Sequence, residues 1–153
     1  MTTNVKVGRG NLFQMFDTNA SPEAWVTVAE VKNITPPAYA RDAQEATHTE
    51  SPDGYREFVS GLRDAGEISV ELNFVPDSDT TDMVFASFDS DELQQVRILF
   101  RDGTQTGPSP TCSRFTCSGF ITGFTTEGPL DDVMTGTVTF KISGKPTFVR
   151  ASA

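Results

Sequence analysis

The sequence predicts a mainly β fold, a β-sandwich or partly rolled barrel flanked by one α-helix, and three observations lead there. Residues 67–75 alternate apolar and polar side chains; 9 Pro and 12 Gly are spread along the 153 residues; and clear helical spacing occurs in only one stretch. Strict alternation puts one strand face in a core and the other in water, while frequent turn residues leave little room for long helices. A chain of this length forms one ordinary domain, 1–153, and buries roughly 70% of the surface its unfolded form exposes. With 12 Phe against one Trp and two Tyr, most aromatic mass is expected inside.

The clearest strand is 67–75, where Ile68, Val70, Leu72 and Phe74 alternate with Glu67, Ser69, Glu71 and Asn73. Residues 24–34 (AWVTVAEVKNI) are rich in β-branched side chains but alternate less cleanly, as a strand covered on both faces would. Residues 94–101 put Val96, Ile98 and Phe100 on one face and Arg97 and Arg101 on the other, and Asp102-Gly103 follows as a hairpin turn signal. Two long strands, 113–126 and 132–143, finish the chain and are joined by a turn at EGPLDD. In the second, Met134, Gly136, Val138, Phe140 and Ile142 face away from Thr135, Thr137, Thr139 and Lys141. Gly119, Gly123 and Gly136 mark bulges or close backbone approach. One helix is expected over 78–88. Asp77 or Ser78 caps it, and Thr81, Val84, Phe85 and Phe88 form its packed face. Residues 35–65 show little sustained periodicity beyond a short strand around 43–48. A loop of that length is either plainly flexible or ordered by a partner.

Charge is distributed unevenly. Nine acids and no Lys or Arg lie between Asp64 and Glu92, and the other 12 acids are balanced by all 12 basic residues, so the whole excess of −9 sits in one block. Such a block is either a solubilising face or a surface that must not adhere to another polyanion. Both readings argue against a conventional nucleic-acid binder, which shows a basic stripe. The N-terminal residues lack the apolar run of a secretory signal and no stretch reaches the roughly 18 apolar residues of a membrane span, so a soluble cytoplasmic product that binds no membrane is expected.

Catalytic machinery is sparse. The single His48 follows Glu45-Ala46-Thr47 in the irregular region, with no nucleophile-elbow motif to pair with it. Asp77, Asp79 and Asp82 begin like a calcium loop, but Asp82 stands where that loop needs Gly and Phe88 where it needs Glu. Gly8-Arg9-Gly10 is no phosphate loop. Cys112 and Cys117 would lie about 16 Å apart on one extended strand, at roughly 3.3 Å per residue, too far for a disulfide. Two partly buried, inert thiols are expected, and with one His they make too few ligands for zinc. No catalytic, cofactor-binding or metal-binding residue is assigned.

Several segments, in order, carry a family resemblance: AEVKNITPP (29–37); THTESPDGYREFVSGLRDAGEISVELNF (47–74), with its entry GLRDAG into an alternating strand; the helix near 78–88; RILFRDGT (97–104); and ISGKPTF (142–148). Together they resemble the tail tube proteins of lambda-like long-tailed phages over about 24–148. The chain departs from that pattern at TQTGPSPTC (104–112), a longer, Pro-rich connection. The resemblance implies a phage tail tube fold whose subunits form hexameric rings, stacked into a virion tail tube assembled in the host cytoplasm. It also implies partners: further copies of the chain, a tape-measure protein in the lumen, tail terminator and distal tail proteins at the ends, and DNA in transient, non-specific passage. Residues 1–20 are then an N-terminal arm and 35–65 an inter-subunit loop, with Arg41, Tyr55, Arg56, Phe58 and Arg63 as candidate contacts. Glu67, Ser69, Glu71 and Asn73 become candidates for lining the lumen. The alternatives are a tube protein of a contractile tail or secretion-type machine and a carbohydrate-binding β-sandwich, for which only Trp25, Tyr39 and Tyr55 could serve as aromatic platforms.

Overall fold

The computed structural model describes residues 9–17, 24–105 and 110–151. Its elements, in chain order, are β1 (Leu12–Asp17), β2 (Ala24–Thr27), β3 (Val31–Thr35), β4 (Ala40–Glu45), β5 (Phe58–Asp64), β6 (Glu67–Asn73), α1 (Asp79–Asp89), β7 (Gln94–Leu99), β8 (Arg114–Glu127), β9 (Thr135–Ile142) and β10 (Thr147–Val149). Residues 12–17 of the expected N-terminal arm are therefore a strand of the sheet. The rest of that segment up to residue 20, apart from the turn at 9–11, lies outside the described residues, as do Gly8 and positions 106–109 of the Pro-rich connection.

Alternation builds the sheet as expected. Ile68, Val70 and Leu72 of β6 and Val138, Phe140 and Ile142 of β9 are buried on one face, with Val96, Ile98, Cys117 and Ile121 continuing the same core through β7 and β8. The main sheet runs β2-β1-β7-β8-β9-β6-β3, with β10 added to β8, and every pairing is antiparallel. β2 and β3 are consecutive in sequence yet stand at opposite ends of that order. The sheet therefore rolls until its two edges are joined by a three-residue bend, but it does not close. The expected single strand over 24–34 is broken here. The Val28 amide still bonds to Phe13 O on β1 (2.9 Å), and Glu30 O already accepts from the Asn73 amide on β6 (2.9 Å). Between them Glu30 adopts a left-handed φ of 60°, which turns the chain from one partner to the other.

β7 departs from simple alternation. Arg97, expected on the face opposite Val96 and Ile98, is also buried, at 6% exposed. Its Nε donates to Gln14 Oε1 at 2.6 Å and its guanidinium lies 4.4 Å from the centre of the Trp25 ring, so β1 and β2 cover it. β8 bulges between Ile121 and Gly123, which bends the sheet around its core.

α1 begins one residue later than expected and follows the cap chemistry closely. Ser78 Oγ accepts from the Thr80 amide at 3.2 Å, and Asp79 and Asp82 occupy the first turn. Ser78→Ala should therefore cost about 1 kcal/mol and lower the melting temperature by about 2–4 °C in a thermal melt followed by circular dichroism; an unchanged midpoint would contradict this cap. The packed face differs from the expected one. Thr81, Val84 and Ser87 are buried, whereas Phe85 and Phe88 are about half exposed, Phe85 standing edge-on to Phe124 of β8 at 5.3 Å.

Residues 35–65 are not an irregular loop. β4 and β5 form a separate antiparallel hairpin, and no residue from 40 to 64 is buried. Periodicity failed to reveal it because both faces are exposed, so neither needs to be apolar.

Candidate assembly surfaces

The polar face of β6 meets the polar face of β9. Glu67, Ser69, Glu71 and Asn73 stand directly opposite Lys141, Thr139, Thr137 and Thr135. Asn33 and Thr35 on β3 extend the row beyond Glu71 and Ser69, and Thr125 on β8 extends it beyond Thr137. The four lumen candidates are thus brought together on a surface rich in hydroxyls. Residue-by-residue reading nominated only the β6 residues, although the alternation of Thr135, Thr137, Thr139 and Lys141 carried the same signal.

This face is not strongly acidic. Lys32 Nζ lies 3.6 Å from Glu71, and Lys141, the cross-strand partner of Glu67, lies 3.1 Å from the Asp64 carboxylate. The Gly66 amide first, and Lys141 second, hold the Asp64 carboxyl below its usual range. Folding also divides the acidic block. Asp77, Asp79, Asp82, Asp89, Asp91 and Glu92 lie on or beside α1, which packs against the opposite, core side of the sheet, and all six are exposed. No basic residue occupies the last turn of the helix.

The hairpin gathers the other candidates. Arg41 and Arg63 are direct cross-strand partners, Phe58 pairs with Glu45 at the far end, and Tyr55 and Arg56 lie in the connecting segment. Leu62 is 86% exposed and Tyr55 76%, with Phe58 and Val59 also open to solvent. The tip is tied by His48, Ser51 and Glu57. Ser51 Oγ donates to Glu57 Oε2 at 2.8 Å and lies 3.0 Å from His48 Nδ1, itself 3.1 Å from Glu57 Oε2. A hydrolytic triad needs the acid on one ring nitrogen and the nucleophile on the other. Here both meet Nδ1, so the three side chains act as a lock on the turn.

Other chemistry is thinly represented. Among the described residues no three His, Cys, Asp or Glu side chains converge as metal ligands, and no helix is long and apolar enough to cross a membrane. Cys112 and Cys117 are both free and more deeply buried than expected; burial raises both thiols, Cys117 to about 11. Trp25 is no open platform for a sugar, since Phe16 meets it at 5.2 Å and Arg97 covers its ring.

The described residues thus form a rolled, unclosed antiparallel sheet with one flanking helix and a projecting hairpin. The fold is similar to the tail of an empty gene transfer agent particle refined with C6 symmetry (TM-score 0.73, 19% identity, 95% of this chain and 99% of that one). It is also similar to a chain from the extended sheath-tube complex of an extracellular contractile injection system (TM-score 0.66, 12% identity, 96% and 92%) and to the SPP1 tail tube (TM-score 0.64, 8% identity, 93% and 76%). The family model described as lambda phage tail tube protein, TTP, matches residues 10–149, and the chain belongs to that family. It is therefore a structural protein of the virion tail. No curated protein matches it.

Proposed function

We propose that copies of this chain form hexameric rings that stack into a hollow tube. The tube first surrounds a tape-measure protein and later conducts DNA during ejection, with terminator and distal proteins closing its ends and no catalytic step by this chain. The observation that supports this most is the unclosed sheet. Among the described residues, β2 and β3 present unpaired edges, which solitary proteins shield and assemblies complete. A two-stranded hairpin exposed on both faces is also marginal alone, so the arm calls for a second surface. Negative-stain microscopy of the purified chain should show rings or tubes. Dispersed monomers at every concentration would overturn the reading.

The β6–β9 face suits the bore because it is hydroxyl-rich and nearly balanced. Cation clusters bind DNA non-specifically through counterion release, with dissociation constants of about 10⁻⁴ to 10⁻⁶ M per protein, and would retard transit when repeated along a tube. A single carboxylate about 10 Å from a phosphate contributes only about 0.4 kcal/mol of repulsion in bulk water, so small net charges guide the strand without blocking it. Glu71→Lys removes the partner of Lys32 and leaves two adjacent cations. Tubes of that variant should assemble normally but eject DNA more slowly, and more so at low salt. Unchanged ejection from such tubes would remove β6 from the bore.

A further inference from the structure

The arm and the C-terminal end of α1 have unmet requirements of opposite sign. On the arm, Arg41 and Arg63 are set side by side across the hairpin, and neither arginine forms an ion pair among the described residues. Like charges directly opposite one another weaken a strand pair unless an anion lies between or over them.

On the body, α1 ends at Asp89, and Asp91 and Glu92 follow, which gathers carboxylates at the negative pole of the helix. None of the three forms an ion pair among the described residues. A groove of about 230 Å³ opens beside them, lined in part by Met83, Ser87, Glu92 and Leu93. Ser87 is more than nine-tenths buried, and its Oγ has no hydrogen-bond partner among the described residues. A buried hydroxyl is normally hydrogen-bonded, so one left unpaired can take a donor or acceptor supplied from elsewhere. Exposed Phe88 and Leu93 border the acids, so the surface offers both charge and apolar contact.

Among the described residues, no hydrogen bond or ion pair joins these two surfaces within one copy. We propose that the Arg41–Arg63 face of one copy's arm docks over the C-terminal end of α1 in a neighbouring copy. One guanidinium enters the groove, donates to Ser87 Oγ and pairs with Glu92, while the second faces Asp89 and Asp91. A planar guanidinium supplies several donors in a fixed fork, which suits one hydroxyl and a carboxylate together. This docking rests on the tube reading and names the surface that receives the arm.

A charge exchange tests it in the full-length protein. Arg41→Glu with Arg63→Glu, and separately Asp91→Arg with Glu92→Arg, should each reduce the sedimentable tube fraction by about tenfold while monomer circular dichroism is unchanged, because close interfacial charge pairs are strongly coupled. Combining all four should restore most of the tubes. Ser87→Ala, which removes a hydroxyl that is unpaired in the monomer, should leave the monomer's melting temperature the same or higher yet raise the concentration needed for assembly. Single exchanges that assemble like wild type, or a fourfold variant no better than either pair, would overturn the docking. If wild-type tubes form normally in those experiments, the tube reading stands; if wild type forms none, both fall together.

Discussion

Replacing residues 41–63 with a two-residue Asn-Gly turn is expected to give a folded monomer that no longer forms tubes. Ala40 and Asp64 are cross-strand partners, so a two-residue turn can join them in the existing register. Nothing removed is buried, and the core resumes beyond the arm at Ala65. The root of the arm also survives: Tyr39 stays on Phe115 at 6.4 Å, and Asp64 keeps Gly66 and Lys141. The melting temperature should move by only a few degrees, since substitutions away from buried features usually cost within about 0.5 kcal/mol each. Sedimentation and microscopy at concentrations where the wild type assembles should find no tubes. Tubes of normal yield would show that the arm is dispensable, and an unfolded product would show that it belongs to the monomer's fold.

Gly119→Ala should be the most damaging Gly→Ala change among the described glycines. A Cβ at this position would collide with the Lys141 carbonyl oxygen and stand 2.9 Å from the Lys141 carbonyl carbon and 3.0 Å from Phe140 Cε1. The first two obstacles are backbone of β9, paired on both sides, and no rotamer change relieves them. Overpacking in a core costs typically 1–3 kcal/mol, and a clash against paired backbone belongs at the upper end, about 3 kcal/mol. For a domain of this size that corresponds to a fall of about 10 °C in melting temperature. Gly123→Ala is the internal control, because nothing lies within 4 Å of its missing Cβ. A loss of stability at Gly123 equal to that at Gly119 would contradict the β8–β9 packing described here.

These glycines also mark what sequence could and could not resolve. Alternation located β6 and β9 because their faces differ sharply in burial, and the Pro-Asp-Ser entry located α1 because caps are local chemistry. Gly119, Gly123 and Gly136 read alike in the sequence, yet one meets backbone, one meets open space, and one lies beside Phe124 at 3.3 Å. Local patterns also concealed the arm, whose two exposed faces give no period, and the bend at Glu30, which depends on β1 and β6 competing for one stretch of chain. The acidic block looked continuous along the sequence but divides in space. The helix takes six of its members, while Lys32 and Lys141, far away in sequence, meet two of the others. The β6 candidates were legible because they alternate. Their threonine-rich neighbours on β9 required knowledge of which strands pair.

The most direct test of the whole account is a helical reconstruction of tubes grown from the purified chain. It should show the free margins of β2 and β3 hydrogen-bonded to adjoining copies, the Ser69–Thr139 face turned toward the axis, and α1 on the outer side. Copies whose margins remain in water, or a bore walled by α1 and its carboxylates, would contradict it.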